Sequence, residues 1–233
     1  MGKTFPISCL ALTISTALAG PASAAVIICT GANCVAVDEN VLVNGASNAP
    51  TITGSTNNSG VGVTFASSTD PLLNGDANGQ ADVSSADGLL NSLMFSIESG
   101  YSFATALFDL VPISGNNPND PLTNLKADTV TISYYTPGLG TQSQTINTNG
   151  TNFLGIYGTA GERFTGAGFS SDPITDGISD FRHVRLGGVE LLDPMQSGVP
   201  EPGIWALVLI GFGFIGWAMR RKNSEQTQLR FAF

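Results

Sequence analysis

Clusters of Asn, Gly, Ser and Pro break the middle of this 233-residue chain into short pieces and exclude long helices there. Asn57-Asn58-Ser59-Gly60, Asn116-Asn117-Pro118-Asn119-Asp120-Pro121 and Asn147-Thr148-Asn149-Gly150 are three of them. Glycine supplies left-handed backbone, proline presets φ, and an Asn side chain bonds its own turn. Between the clusters lie short apolar runs, some of which alternate, as in Val130-Ile132-Tyr134 and Val184-Leu186. A period of two puts such residues on one face of a strand. The pattern predicts strands at 26–29, 35–37, 41–44, 61–66, 92–98, 103–110, 129–135, 143–147, 153–157, 163–169 and 181–192. The expected fold is all-β, a β-sandwich or jelly-roll-like extracellular domain over residues 25–197. A hydrophobic content of 42% is enough to fill its core, which weighs against disorder.

Charge narrows the possible partners. Between Ala25 and Gly198 the basic residues are Lys126, Arg163, Arg182 and Arg185, against sixteen carboxylates. Such a surface repels a phosphate backbone, so nucleic acid is excluded as an expected partner. Divalent cations remain compatible. Asn74-Gly-Asp76-Ala-Asn78-Gly79-Gln-Ala-Asp82 places oxygen side chains at alternate positions, like the first half of a Ca²⁺ loop. Position twelve of that pattern is Ser85 rather than a bidentate Glu, and an Asx-rich surface turn is the competing reading. Asp76, Asn78 and Asp82 are the candidate Ca²⁺ ligands, and no other cofactor is expected.

Candidate catalytic groups are sparse, and no enzymatic activity is expected. His183 is the only histidine; it sits in Phe181-Arg-His-Val-Arg-Leu, where Val184 and Leu186 face inward and His183 faces out. No G-x-S-x-G surrounds a serine. Two carboxylates flanking a glycosidic bond are a further option, but sequence does not give their separation. Cys29 and Cys34 enclose C-T-G-A-N-C, and an even pair in an exported chain predicts a disulfide. Tyr101, Tyr134, Tyr135 and Tyr157 are candidates for a saccharide-stacking platform, with core packing as the alternative for each.

The two ends read as targeting segments. Lys3, an apolar stretch from Ile7 to Ala19, and Ala22-Ser23-Ala24 predict a secretory signal over residues 1–24, a helix removed by signal peptidase after Ala24. At the other end no charge occurs from Gly203 to Met219, and Arg220-Arg221-Lys222 follows. That predicts a single transmembrane helix over residues 203–219, roughly 26 Å long at ~1.5 Å per residue. Trp205 and Trp217 lie near its two interfaces, and the basic stop-transfer cluster of Arg220, Arg221 and Lys222 keeps residues 223–233 as a cytoplasmic tail. Gly211, Gly213 and Gly216 allow close helix approach, although glycine is common in such helices anyway.

Residues 198–222 also carry a recognisable order of parts: Pro200-Glu201-Pro202, then Trp205-Ala206, then Gly211-Phe-Gly213-Phe-Ile-Gly216, then the basic cluster. This resembles the PEP-CTERM sorting signal in its PEPxxWA form. The resemblance implies that an exosortase, a membrane cysteine transpeptidase, reads Pro200, Glu201, Pro202, Trp205 and Ala206 and removes the tail. Family members usually stop soon after the basic cluster, whereas here Asn223 to Phe233 continues it. The expected protein is therefore exported and held in the inner membrane by its C-terminal helix. After processing it would reach the cell surface or a biofilm exopolysaccharide matrix. The alternative is a carbohydrate-binding module at the envelope.

Overall fold

The computed structural model describes residues 25–77, 79–113, 125–148, 153–172, 174–192, 208–215, 217, 219 and 220. Short strands follow one another through the turns: β1 (Val26–Thr30), β2 (Glu39–Val43), β3 (Ala46–Ala49), β4 (Thr51–Thr56), β5 (Gly62–Ala66), β6 (Leu73–Ala77), β7 (Ala81–Ser85) and β8 (Ser92–Ile97). They continue as β9 (Tyr101–Ser102), β10 (Thr105–Val111), β11 (Thr129–Thr136), β12 (Gly140–Asn147), β13 (Phe153–Gly158), β14 (Gly166–Asp172), β15 (Asp180–Gly187) and β16 (Glu190–Leu191).

Fourteen of these form one antiparallel sheet in the order β1-β13-β10-β15-β2-β4-β5-β8-β14-β11-β12, with β7, β6 and β3 branching from β15. The all-β class is as expected. Two separate sheets, as a sandwich requires, are not what the pairing shows. Arg185 and Leu186 of β15 pair with Asn40 and Glu39 of β2, and this junction makes the hydrogen-bonded surface continuous. The sheet instead curls like half a barrel. Its curl is visible in the core: Phe95 of β8 lies 6.4 Å from Phe108 of β10 and 6.3 Å from Phe181 of β15, although those strands are well apart in the sheet order. Phe169 of β14 stacks on Phe181 at 6.0 Å, and Phe108 does so at 4.8 Å. These rings are fully buried.

Buried carboxylates tie turns to this core. Glu39 Oε2 accepts from the Ser59 backbone and hydroxyl, each at 2.9 Å, so β2 holds the Asn57–Gly60 turn of the β4–β5 hairpin. Burial opposes the Glu39 anion, but these bonds and others from Thr56 and Asn58 outweigh it and hold the carboxyl below its usual range. Asp70 Oδ2 likewise accepts from Ser67 and Thr69 hydroxyls and from the Asn91 and Ser92 amides.

Several expectations shift. Residues 35–37 form no strand, while β3, β4, β6, β7 and β9 lie outside the expected list. The stretch read as a half Ca²⁺ loop is the β6–β7 hairpin, because Leu73, Ala81, Val83 and Ser85 alternate inward and are buried. The 163–169 strand begins later, at Gly166, and the 181–192 segment divides at Gly188, whose φ is +62°.

Candidate functional site

The outward face of β6, β7 and β15 gathers the polar side chains that the hairpin's alternation turns away from the core. Register aligns Asn74 with Ser84 and Ser84 with Asp180 in one row, and Asp76 with Asp82 and Asp82 with Arg182 in the next. β3 rises beside them, and Asn48 takes a left-handed φ of 52° so that its amide donates to Asn74 Oδ1 at 2.9 Å. The result is an open groove of about 470 Å³ lined by Ser47, Asn48, Asn74, Asp76, Asp82, Ser84, Asp180 and Arg182.

Arg182 is the electrostatic centre of the groove. Its Nε lies 3.1 Å from Asp82 and its Nη2 3.0 Å from Asp180. Burial pushes the Asp82 carboxyl above its usual range, Arg182 draws it back, and Asp180 and Asp76 add to the rise. Asp109 of β10 faces Arg182 in the register, and burial raises its carboxyl too, against the pull of His183 and Arg182. His183 sits where the β10–β15 register shifts, with φ of 56°, its Nδ1 3.7 Å from Asp109 and its ring stacked on Phe153 at 5.7 Å. It is half-exposed, as the sequence suggests for an outward strand residue, and the bulge explains its backbone. Three groove carboxylates against one guanidinium suit a hydroxyl-rich neutral ligand or a cation, and oppose a phosphate.

The sequence-predicted positions distribute as follows. Asp76 and Asp82 come together across the hairpin, and Asn78 lies outside the described residues. Among the described residues, no three His, Cys, Asp or Glu side chains converge to hold a metal ion. Cys29 and Cys34 form the expected disulfide with Cα atoms 6.0 Å apart. Gly155 of β13 faces it, and a Cβ there would stand 2.6 Å from Cys34 Sγ and 2.8 Å from Cys29 Sγ, so glycine is required. The four tyrosines make no shared platform. Tyr134 is buried edge-on against Phe164, Tyr135 is on the opposite face of β11, Tyr101 is on β9, and Tyr157 lines a separate pocket beside the disulfide. Asn48, Asp180 and Arg182 were not anticipated as groove residues. The signal for Asp180 and Arg182 is the buried Phe181, which turns both of its neighbours outward; Asn48 carries none in the local sequence.

At the C-terminus, Pro200, Glu201, Pro202, Trp205, Ala206, Arg221 and Lys222 lie outside the described residues, as does residues 1–24 at the other end. Residues 208–215, 217, 219 and 220 are helical, and Leu209, Phe212, Phe214, Trp217 and Met219 are all exposed. No helix among the described residues is long and apolar enough to cross a membrane. A family model described as the PEP-CTERM protein-sorting motif matches residues 198–222. No curated protein and no solved structure matches the chain. The chain thus carries a PEP-CTERM sorting motif, the mark of an exported protein directed to an exosortase-type processing partner.

Replacing the cation at the groove's centre gives a pH test. In Arg182→Gln the Asp82 and Asp109 carboxyls rise further above their unfolded value of 3.8. A raised folded-state pKa favours the fold below the unfolded value, and that contribution is lost as pH climbs through the folded one. The variant should lose about 1 kcal/mol or less at pH 7, since solvent screens the pairs, and the deficit should shrink towards pH 4. Urea melts at both pH values check this; an equal deficit at each contradicts it.

Proposed function

We propose that this is a non-enzymatic exported protein of the cell surface or exopolysaccharide matrix, sorted and cleaved by an exosortase at its C-terminal motif. The sorting motif at residues 198–222 carries the reading. The rest of the chain is consistent with it: a disulfide-stapled, acidic β domain suited to an oxidising exterior, and a helix whose apolar side chains point outward all round and need an apolar surrounding. In this reading signal peptidase removes residues 1–24, the 203–219 helix holds the chain in the inner membrane with residues 223–233 inside, and the exosortase then releases the domain. The test is the mass of the mature C-terminus in cells with and without the exosortase. The hydrophobic tail is expected to be absent in the first and retained in the second. Retention in both makes the protein a plain single-span anchor.

A second reading, carbohydrate binding on the same domain, is favoured by the groove. Its Asn, Ser, Asp and Arg side chains alternate donors and acceptors around a space that accepts a sugar ring. The Ca²⁺ expected at Asp76, Asn78 and Asp82 would compete there with Arg182, which already neutralises Asp82. Titration calorimetry with the organism's own exopolysaccharide, with and without Ca²⁺, should give heat that the Asn74→Ala variant loses. Equal heat from both proteins places any saccharide site elsewhere.

A further inference from the structure

Among the described residues, the sheet ends on an open strand with unusual properties. β12 is the last strand in the order, eight residues long, and pairs with β11 through Thr129↔Asn147 to Thr136↔Gly140 without a register shift. Edge strands are ordinarily blunted by charge, proline or a bulge, since their free backbone groups template another chain. β12 has none of these. From Thr129 to Gly161 the sequence holds no charged residue, in a domain region where sixteen carboxylates face four basic side chains. A second copy of this acidic chain is repelled over most of its surface and not at this edge.

The edge is also self-complementary. Thr141-Gln142-Ser143-Gln144-Thr145 reads the same in both directions. Antiparallel pairing about Ser143 sets Ser143 opposite Ser143, Gln142 opposite Gln144 and Thr141 opposite Thr145 of the other copy. Backbone phase permits it. The Thr148 amide donates to the Asp128 carbonyl at 2.9 Å, so with the observed register the even-numbered residues of β12 bond β11 and the odd-numbered ones point outward. Thr131 and Thr145 fit that phase as a close, non-bonded pair, their hydroxyls 3.0 Å apart. A two-fold axis through an outward-pointing residue such as Ser143 lets Thr141, Ser143 and Thr145 exchange backbone bonds with their counterparts. The Gln142 and Gln144 side chains then meet where strands approach most closely. Leu139, 61% exposed at the hairpin tip, would lie opposite Asn147 of the other copy, next to its Ile146.

We propose that β12 is a self-association edge: two copies of this chain join antiparallel through β12, with the two-fold axis at Ser143, into one continuous sheet. An eight-residue edge covers less than the roughly 1,200 Å² typical of stable interfaces, so the dimer is weak and forms at high local concentration, as at a surface or in a matrix. The inference uses nothing from the sorting tail and stands or fails apart from the proposed function.

The test uses the exported chain carrying single cysteines at exposed β12 positions, mild oxidation, and non-reducing gels, with the parent chain as background. Opposed bonded residues have Cα atoms about 5.5 Å apart, within disulfide reach. Ser143→Cys should cross-link to itself about tenfold more than Thr141→Cys or Thr145→Cys alone, whose like positions are separated by roughly 13 Å. Mixing Thr141→Cys with Thr145→Cys should restore the cross-link between the two variants, which also serves if Ser143→Cys is poorly exported. Equal yields from all three single variants, or no cross-link in either the Ser143→Cys sample or the mixture, would overturn the proposal.

Discussion

Phe95 is where the fold closes. Its ring meets Phe65 of the adjacent strand β5, Phe103 after β9, and Phe108 and Phe181 from the far half of the sheet. A sheet with this many strands must curl or split to bury one face, and here the pairing continues across the β2–β15 junction at Arg185–Asn40 and Leu186–Glu39. The phenylalanine cluster then supplies the apolar contact that holds the curl. Everything described on the outside follows from that inward commitment. Because Phe181 points in, Asp180 and Arg182 point out; because Val83 points in, Asp82 and Ser84 point out.

The exterior divides into two regions of different chemistry. Around β6, β7, β15 and β10 neutral polar residues are mixed with charged ones, and the carboxylates are arranged about Arg182. Along β11 and β12 they are neutral amides and hydroxyls, with exposed Tyr135 and Leu139 at the hairpin end. A charged groove is suited to a soluble polar ligand, while a neutral open edge is suited to backbone pairing. Both belong to a chain that carries the sorting motif of exported proteins, and the Cys29–Cys34 bridge beside β13 suits an oxidising compartment.

Strands whose inward positions are large and apolar were legible in the sequence. β8 and β11 match the expected segments, and β15 the first part of its own, because Leu93, Phe95 and Ile97, Val130, Ile132 and Tyr134, and Phe181, Val184 and Leu186 are hydrophobic. β3 and β4 were not, since Ala46–Ala49 and Thr51–Thr56 are mostly small and polar and gain their strand character from neighbours. Nor was the β6–β7 hairpin, whose few inward residues, Leu73, Ala81 and Val83, are interspersed with outward Asn and Asp. The groove depended on register between strands distant in sequence, which no local pattern carries. The disulfide and the sorting motif were legible because each is written in a few contiguous residues.

The strands before and after the β2–β15 junction should form one cooperative unit closed by Phe95. Native-state hydrogen exchange on the parent protein and the Phe95→Ala variant measures it. Truncating a buried phenylalanine costs about 3–5 kcal/mol, and the account predicts that the slow amides of β8 and β14 lose protection by that amount together with those of β10 and β15. Loss confined to β8 and its immediate neighbours, with β10 and β15 unchanged, would contradict it.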